Sequence, residues 1–172
     1  MIYLGVGANL PSARFSSPRE TLEAAMADLG HLGVVPLAVS RWFESAPVPA
    51  SDQPWYVNAV YSVETDNDAA SLLARLHSIE KEYGRVRGAV NAARVIDLDL
   101  LDYHGELSDG SGGPILPHPR MHERAFVLHP LRDLAPDWRH PVSGAAIDSL
   151  ISALDASQTV RLLGSVGEGY NS

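Results

Sequence analysis

Two carboxylates set two residues apart, Asp97 and Asp99, interrupt the otherwise apolar run Arg94-Val95-Ile96-Asp97-Leu98-Asp99-Leu100-Leu101. Side chains alternate along a strand, so Ile96, Leu98 and Leu100 share one face and the two aspartates the other, at roughly 6.6 Å spacing. Like charges held that close raise each other's pKa unless a cation or paired arginines neutralise them. A divalent metal meets that need. A solvated face of an edge strand fits the same alternation, and the residues alone leave these two readings about even. Arg75, Lys81, Arg85, Arg87, Arg94, Arg120 and Arg124 are seven of the thirteen basic residues, and several flank the aspartates. Any one of these arginines alone reads as a surface ion pair. As a group beside the aspartates they point to a polyphosphate ligand, because the guanidinium fork binds phosphate oxygens at two points.

The rest of the composition narrows the chemistry. There is no cysteine, which excludes disulfides and thiolate ligands and moves hard cations such as Mg2+ up the order. A net charge of -8 argues against a broad basic surface for nucleic acid. The only lysine, Lys81, lies late in an expected helix, so a P-loop phosphotransferase has no candidate lysine. The 172 residues, 45% hydrophobic and 20% charged, suit a single domain over 1–163 followed by a flexible tail over 164–172. With no long apolar run and no basic leader before Met1-Ile2-Tyr3-Leu4-Gly5, the expectation is a cytoplasmic protein that binds no membrane and no nucleic acid, as a monomer.

The elements that must position these residues follow from periodicity and punctuation. Met1 to Ala8 reads as a strand leaving through a glycine-rich turn, Gly5-Val6-Gly7-Ala8-Asn9-Leu10-Pro11, in which Leu10 stands where a dinucleotide fingerprint needs its third glycine. Ser17-Pro18 opens a helix with Leu22, Ala25, Met26 and Leu29 as its apolar stripe and Gly30 as its stop. Leu32 to Phe43 reads as a strand, Glu44 to Pro54 as a proline-restricted loop and Trp55 to Thr65 as a further strand. Asp68 is the expected N-cap of a second helix carrying Leu72, Leu73, Leu76, Ile79 and Tyr83, stopped by Gly84. The acidic strand follows, then an exposed loop over 104–117, a helix over 148–154 and an edge strand over 159–163. The leading order β, α, β, β, α, β defines an α+β, ferredoxin-like sandwich: an antiparallel sheet with helices packed on it.

The segments that carry chemistry resemble a known family, the 6-hydroxymethyl-7,8-dihydropterin pyrophosphokinases. The resemblance runs through Gly5-Val6-Gly7-Ala8-Asn9-Leu10, Asp52-Gln53-Pro54-Trp55-Tyr56-Val57-Asn58-Ala59, Gly84-Arg85-Val86-Arg87, Arg94-Val95-Ile96-Asp97-Leu98-Asp99 and Pro117-His118-Pro119-Arg120-Met121-His122-Glu123-Arg124-Ala125-Phe126. It implies a ferredoxin-like fold and transfer of the pyrophosphoryl group of ATP, the co-substrate, to a pterin hydroxymethyl in folate biosynthesis. It makes Asp97 and Asp99 ligands of two Mg2+ ions and, with Arg85 and Arg94, the catalytic set. Glu80, Arg85, Arg87, Arg94, His118 and Arg124 fall on ATP-side positions. Ser45, Pro47, Val48, Tyr56, Asn58 and Phe126 fall on pterin-side positions. Aromatic faces with one amide suit a flat heterocycle with a polar edge, although alone Tyr56 and Phe126 would be core aromatics and Glu80 a helix-end carboxylate.

One segment departs from the family. Val90-Asn91-Ala92-Ala93-Arg94 replaces a common Trp-Gly-Pro-Arg stretch, is about one residue shorter and keeps only the arginine, so any closure built on the tryptophan would differ here. The alternative to an enzyme is a non-catalytic ferredoxin-like module that binds a nucleotide or a pterin, since this architecture hosts many functions.

Overall fold

A computed structural model describes residues 1–85 and 93–164 of the chain. Among the described residues six strands form the main sheet: β1 (Ile2–Ala8), β2 (Val35–Val39), β3 (Phe43–Ser45), β4 (Tyr56–Glu64), β5 (Asp97–Tyr103) and β8 (Val160–Leu162). Five of them run in the order β5-β1-β4-β3-β8, β2 pairs with β4 off that path, and every pairing is antiparallel. Helices α1 (Pro18–His31) and α2 (Ala69–Glu82) cover one face, and α3 (Ala125–Leu134) and α4 (Ile147–Ser152) lie on the other. The fold is the α+β, ferredoxin-like sandwich expected from the element order.

Alternation along β1 divides the core. Ile2, Leu4, Val6 and Ala8 face α1 and α2, meeting Leu22, Met26, Leu29, Leu72, Leu76 and Ile79. On the opposite face Val60 and Leu101 pack with Val127, Leu128, Leu131 and Ile147. Each buried aliphatic side chain contributes roughly 1.5–3 kcal/mol relative to exposure. Near the end of β5 the register to β1 shifts between Tyr3 and Leu4, so Tyr3 pairs with Asp102 and Leu4 with Leu100. Leu101 is the extra residue of this bulge and packs in the α3-side core, while Asp102 accepts a hydrogen bond from Trp138 Nε1 at 2.8 Å.

Both early helices end in the same chemistry. Gly33 and Gly84 take φ of 81° and 87°, a left-handed turn that glycine enters without a Cβ penalty. In each, the glycine N–H and that of the next residue cap the last turn: Gly33 on Gly30 O and Val34 on Leu29 O, Gly84 on Lys81 O and Arg85 on Glu80 O. Helix α1 therefore runs one residue past the expected stop at Gly30. At the start of α2, Asp68 accepts from Ser71 N at 2.7 Å, as its N-cap role requires.

Three local expectations are corrected. Gly5 and Gly7 lie within β1 rather than in a turn after it. The expected strand over 32–43 is split into β2 and β3, because Ser40 Oγ takes the Val60 N–H at 3.0 Å and bends the chain between them. The expected loop over 104–117 contains a small hairpin, β6 (Ser108–Asp109) with β7 (Ile115–Leu116), too short for periodicity to reveal. The helix expected over 148–154 is α4, and the edge strand is β8 on β3. The tail expectation for 164–172 and most of the departing Val90 to Ala93 segment lie outside the described residues.

Candidate functional site

The two aspartates project from β5 on the face shared with Leu101, beside β1. There the cross-strand partners are Gly5 opposite Asp99 and Gly7 opposite Asp97. On their other side Gly5 and Gly7 face Val60 and Asn58 of β4. With no side chains between them, a cavity of about 450 Å³ opens over β1, floored by Gly5, Val6 and Gly7 and reached by Asp97, Asp99, Arg94 and Arg124. That volume is of small-molecule size. A Cβ on Gly7 would stand 3.0 Å from Asn58 Oδ1 and one on Gly5 3.3 Å from Leu101.

Asp97 is held between two guanidinium groups. Its Oδ1 accepts from Arg85 Nη1 at 2.8 Å and its Oδ2 from Arg94 Nη1 at 2.9 Å. The glycine cap that ends α2 turns Arg85 back over its own helix, where Nη1 also donates to Glu80 Oε1. Glu80 is 2% exposed and its Oε1 also accepts from the N–H of Leu98 at 2.8 Å, so one buried carboxylate fixes both Arg85 and the backbone between the two aspartates. Burial pushes the Glu80 carboxyl upward, with the Leu98 N–H and Arg85 opposing. For Arg85 burial works against the charge, and Asp97 and Glu80 outweigh it.

Asp99 faces Arg124, with Nη1 to Oδ2 at 3.6 Å. Burial, and next the charge of Asp97, push the Asp99 carboxyl up to about 7. The donor set suits a hard cation: it is all oxygen, each Asp97 oxygen keeps a lone pair beyond its guanidinium contact, and a cation would relieve the repulsion that raises Asp99. Among the described residues no group of three His, Cys, Asp or Glu could hold a metal, so a cation here would complete its shell with water or ligand oxygens. The backbone N–H of His118 donates to Leu101 O at 2.8 Å, and its ring Nδ1 accepts from Arg120 N at 3.1 Å. Burial and then Arg124 push His118 down to about 4.

The other half of the cavity is lined by Ser45, Pro47, Val48, Tyr56, Asn58 and Phe126. Asn58 is buried, and its Nδ2 donates to Ser45 Oγ at 2.8 Å and to the Tyr56 carbonyl at 3.4 Å; the carbonyl can only accept, which favours this orientation of the amide. Arg124 also lies over the Phe126 ring, 5.6 Å from its centroid. Asp97, Asp99, Arg94 and Arg124 thus share one cavity with the six residues expected on the pterin side. Glu80, Arg85 and His118 are not among its lining residues, although Arg85 bonds directly to Asp97, which is, and Arg87 lies outside the described residues.

Other contributors were not singled out by the sequence. Buried Asn9 donates to Gln53 Oε1 and Pro54 O and accepts from Arg94 N at 2.8 Å, joining the end of β1, the proline-rich loop and the approach to β5. Its position after two glycines reads only as a turn. Asp155, Ser157 and Gln158 complete the cavity wall from a segment with no chemical signature in sequence.

The fold and site define a ferredoxin-like α+β protein whose sheet carries paired aspartates among arginines at one end of a cavity lined at the other by aromatic and amide side chains. The model of the 7,8-dihydro-6-hydroxymethylpterin-pyrophosphokinase (HPPK) family matches residues 3–136, and the chain belongs to that family. A Pseudomonas aeruginosa 2-amino-4-hydroxy-6-hydroxymethyldihydropteridine pyrophosphokinase is 38% identical over 164 residues, covering 95% of this chain and 97% of that one. The Pneumocystis carinii folic acid synthesis protein fol1 is 38% identical over 148 residues, 86% of this chain, which spans only 19% of that protein. A crystallised Plasmodium falciparum HPPK-DHPS with pteroate shares the fold with a TM-score of 0.66 at 13% identity, over 88% of this chain and 43% of that one.

Proposed function

We propose that the chain transfers the pyrophosphoryl group of ATP to the hydroxymethyl group of 6-hydroxymethyl-7,8-dihydropterin, releasing AMP, with two Mg2+ ions. The observation that carries this is the shared wall: Asp97 and Asp99, among arginines, line the same cavity as Tyr56, Asn58 and Phe126. The substrate hydroxyl oxygen forms a bond to the β-phosphorus and gives its proton to solvent, while the bond from that phosphorus to the oxygen bridging the α-phosphate breaks and AMP leaves with that oxygen. Tyr56 and Phe126 hold the pterin ring by its faces, and Asn58, oriented by Ser45, reads its polar edge. Arg85, Arg94 and Arg124 hold phosphate oxygens, and His118 donates to them from Nε2. Bound at Asp97 and Asp99, Mg2+ would supply charge stabilisation for an in-line displacement. The chain's contribution is positioning and fixed charge, without a covalent enzyme intermediate.

The enzyme is further taken to act as a cytoplasmic monomer with one domain over 1–163; no helix among the described residues is long and apolar enough to cross a membrane. The test is to mix protein, ATP, Mg2+ and the hydroxymethyl dihydropterin and separate the nucleotides. AMP with diphosphorylated pterin supports the proposal. ADP overturns it, and tight ligand binding without turnover favours the non-catalytic module. Asp97→Asn and Asp99→Asn should each reduce turnover to background while keeping the circular dichroism of the parent, and near-normal rates in both would reject the role of the pair.

A further inference from the structure

The family match ends at residue 136, yet the cavity wall is completed by Asp155, Ser157 and Gln158. Helix α3 begins at Ala125 with Arg124 as its N-cap, and no side chain of the cap residue satisfies the first turn. Arginine carries only donors and cannot accept the free N–H groups there. Gln158 supplies what is missing: its Oε1 accepts from Ala125 N at 2.9 Å. Its Nε2 donates to Glu123 O, also at 2.9 Å. The amide thus grips the backbone on both sides of Arg124, from 33 residues away in sequence.

Arg124 is the residue whose placement matters. Its guanidinium faces Asp99 at 3.6 Å and covers Phe126. Its φ and ψ of -112° and 110° are extended; its own N–H bonds to Met121 O and its carbonyl accepts from Val127 N and Leu128 N, and Gln158 ties the remaining polar group of each flanking peptide, Glu123 O and Ala125 N. The segment carrying Gln158 is itself anchored: Gln158 N bonds to Asp155 O, and the following strand β8 pairs with β3 through Val160 opposite Ser45. The same short segment therefore bonds the backbone of both neighbours of Arg124 and ends beside Ser45, the partner of Asn58.

We propose that Gln158 is a positioning residue for the transfer reaction, acting as a remote cap on α3 that fixes Arg124 against the phosphates of ATP. This rests on the function proposed above. The test compares Gln158→Met, which keeps the length and removes both hydrogen bonds, with Gln158→Glu, which keeps an acceptor for Ala125 N but sets an oxygen against Glu123 O. Each is made in the wild-type and Arg124→Ala backgrounds, with binding of a non-hydrolysable ATP analogue and KM for ATP measured. Gln158→Met should weaken nucleotide binding about tenfold, Gln158→Glu should show the same direction, and both effects should vanish when Arg124 is alanine. KM for the pterin should change by less than threefold or so. Equal losses in both backgrounds, or normal nucleotide binding in Gln158→Met protein that melts like wild type, would overturn the inference. Wild-type protein that binds the analogue but forms no AMP fails the proposed function, while the binding comparison still decides the role of Gln158.

Discussion

Glu80 accepts a hydrogen bond at 2.8 Å from the N–H of Leu98, the residue that separates Asp97 from Asp99. The same oxygen receives Arg85, which in turn holds Asp97. The end of α2 is thereby locked to the middle of the acidic strand through one carboxylate 2% exposed. Removing one member of a buried ion pair leaves the other uncompensated. Glu80→Ala should therefore cost about 3 kcal/mol, seen as a drop in Tm of roughly 6–12 °C. Glu80→Gln keeps an acceptor for Leu98 and should lose less; equal melting of Glu80→Ala and wild type would remove the structural role.

Mg2+ should stabilise the protein in a pH-dependent way. The Asp99 carboxyl, ordinarily near 3.8, is raised to about 7 in the fold. Its protonated form is favoured there, so the stability it contributes is fully present below about 3.8 and is lost as pH rises through 7. A divalent cation binds the ionised form and offsets that loss. Millimolar Mg2+ should raise Tm clearly at pH 8 and little at pH 5.5, and chelation should reverse it. Metal-free Asp99→Asn should melt higher than metal-free wild type at pH 8 and lose the Mg2+ response. An equal Mg2+ shift at both pH values would place the cation elsewhere.

Much of this site was legible in sequence because its residues obey local rules. Asp97 and Asp99 alternate with Leu98 in one strand, and Asp68 and Gly84 mark the limits of α2 by capping chemistry that acts within a few residues. What escaped depends on contacts between distant segments. Asn9 matters through Pro54 and Arg94, and Gln158 through residues 123 and 125; neither is distinguishable from an ordinary turn residue in isolation. Gly5 and Gly7 looked like flexible backbone, whereas their role is to leave space on a regular strand. Ser40 breaks an apparently continuous strand by offering its hydroxyl to Val60, a competition that pattern alone does not show.

Filling the cavity floor should separate the two halves of the site. Gly7 has ordinary strand geometry, so alanine there meets no backbone strain, but its Cβ would stand 3.0 Å from Asn58 Oδ1. The amide must give way and strain its 2.8 Å bond to Ser45. Gly7→Ala should cost roughly 1–3 kcal/mol of stability and raise KM for the pterin about tenfold. KM for ATP should stay near wild type. Gly5→Ala, whose Cβ meets the movable Leu101 side chain at 3.3 Å, should be milder on both counts.

His118 should remain neutral well below the ordinary histidine range. Its Nδ1 accepts from the N–H of Arg120 at 3.1 Å, so Nδ1 carries no proton and the ring's proton sits on Nε2. Protonating Nδ1 would set two donors against each other. Burial and the charge of Arg124 push in the same direction, down to about 4 from 6.5. A depressed folded value means the contribution to stability is full above about 6.5 and is lost as pH falls through 4. Ring resonances followed by NMR should place His118 near 4, with Nε2 protonated at neutral pH. Burial also lowers His129 and His140, so a His118→Gln comparison is needed to isolate one ring: the variant should lose less Tm than wild type between pH 6.5 and 4.5. Titration of His118 near 6.5, or identical acid profiles for the two proteins, would show that Nδ1 is free to take a proton and that the Arg120 contact does not fix the tautomer.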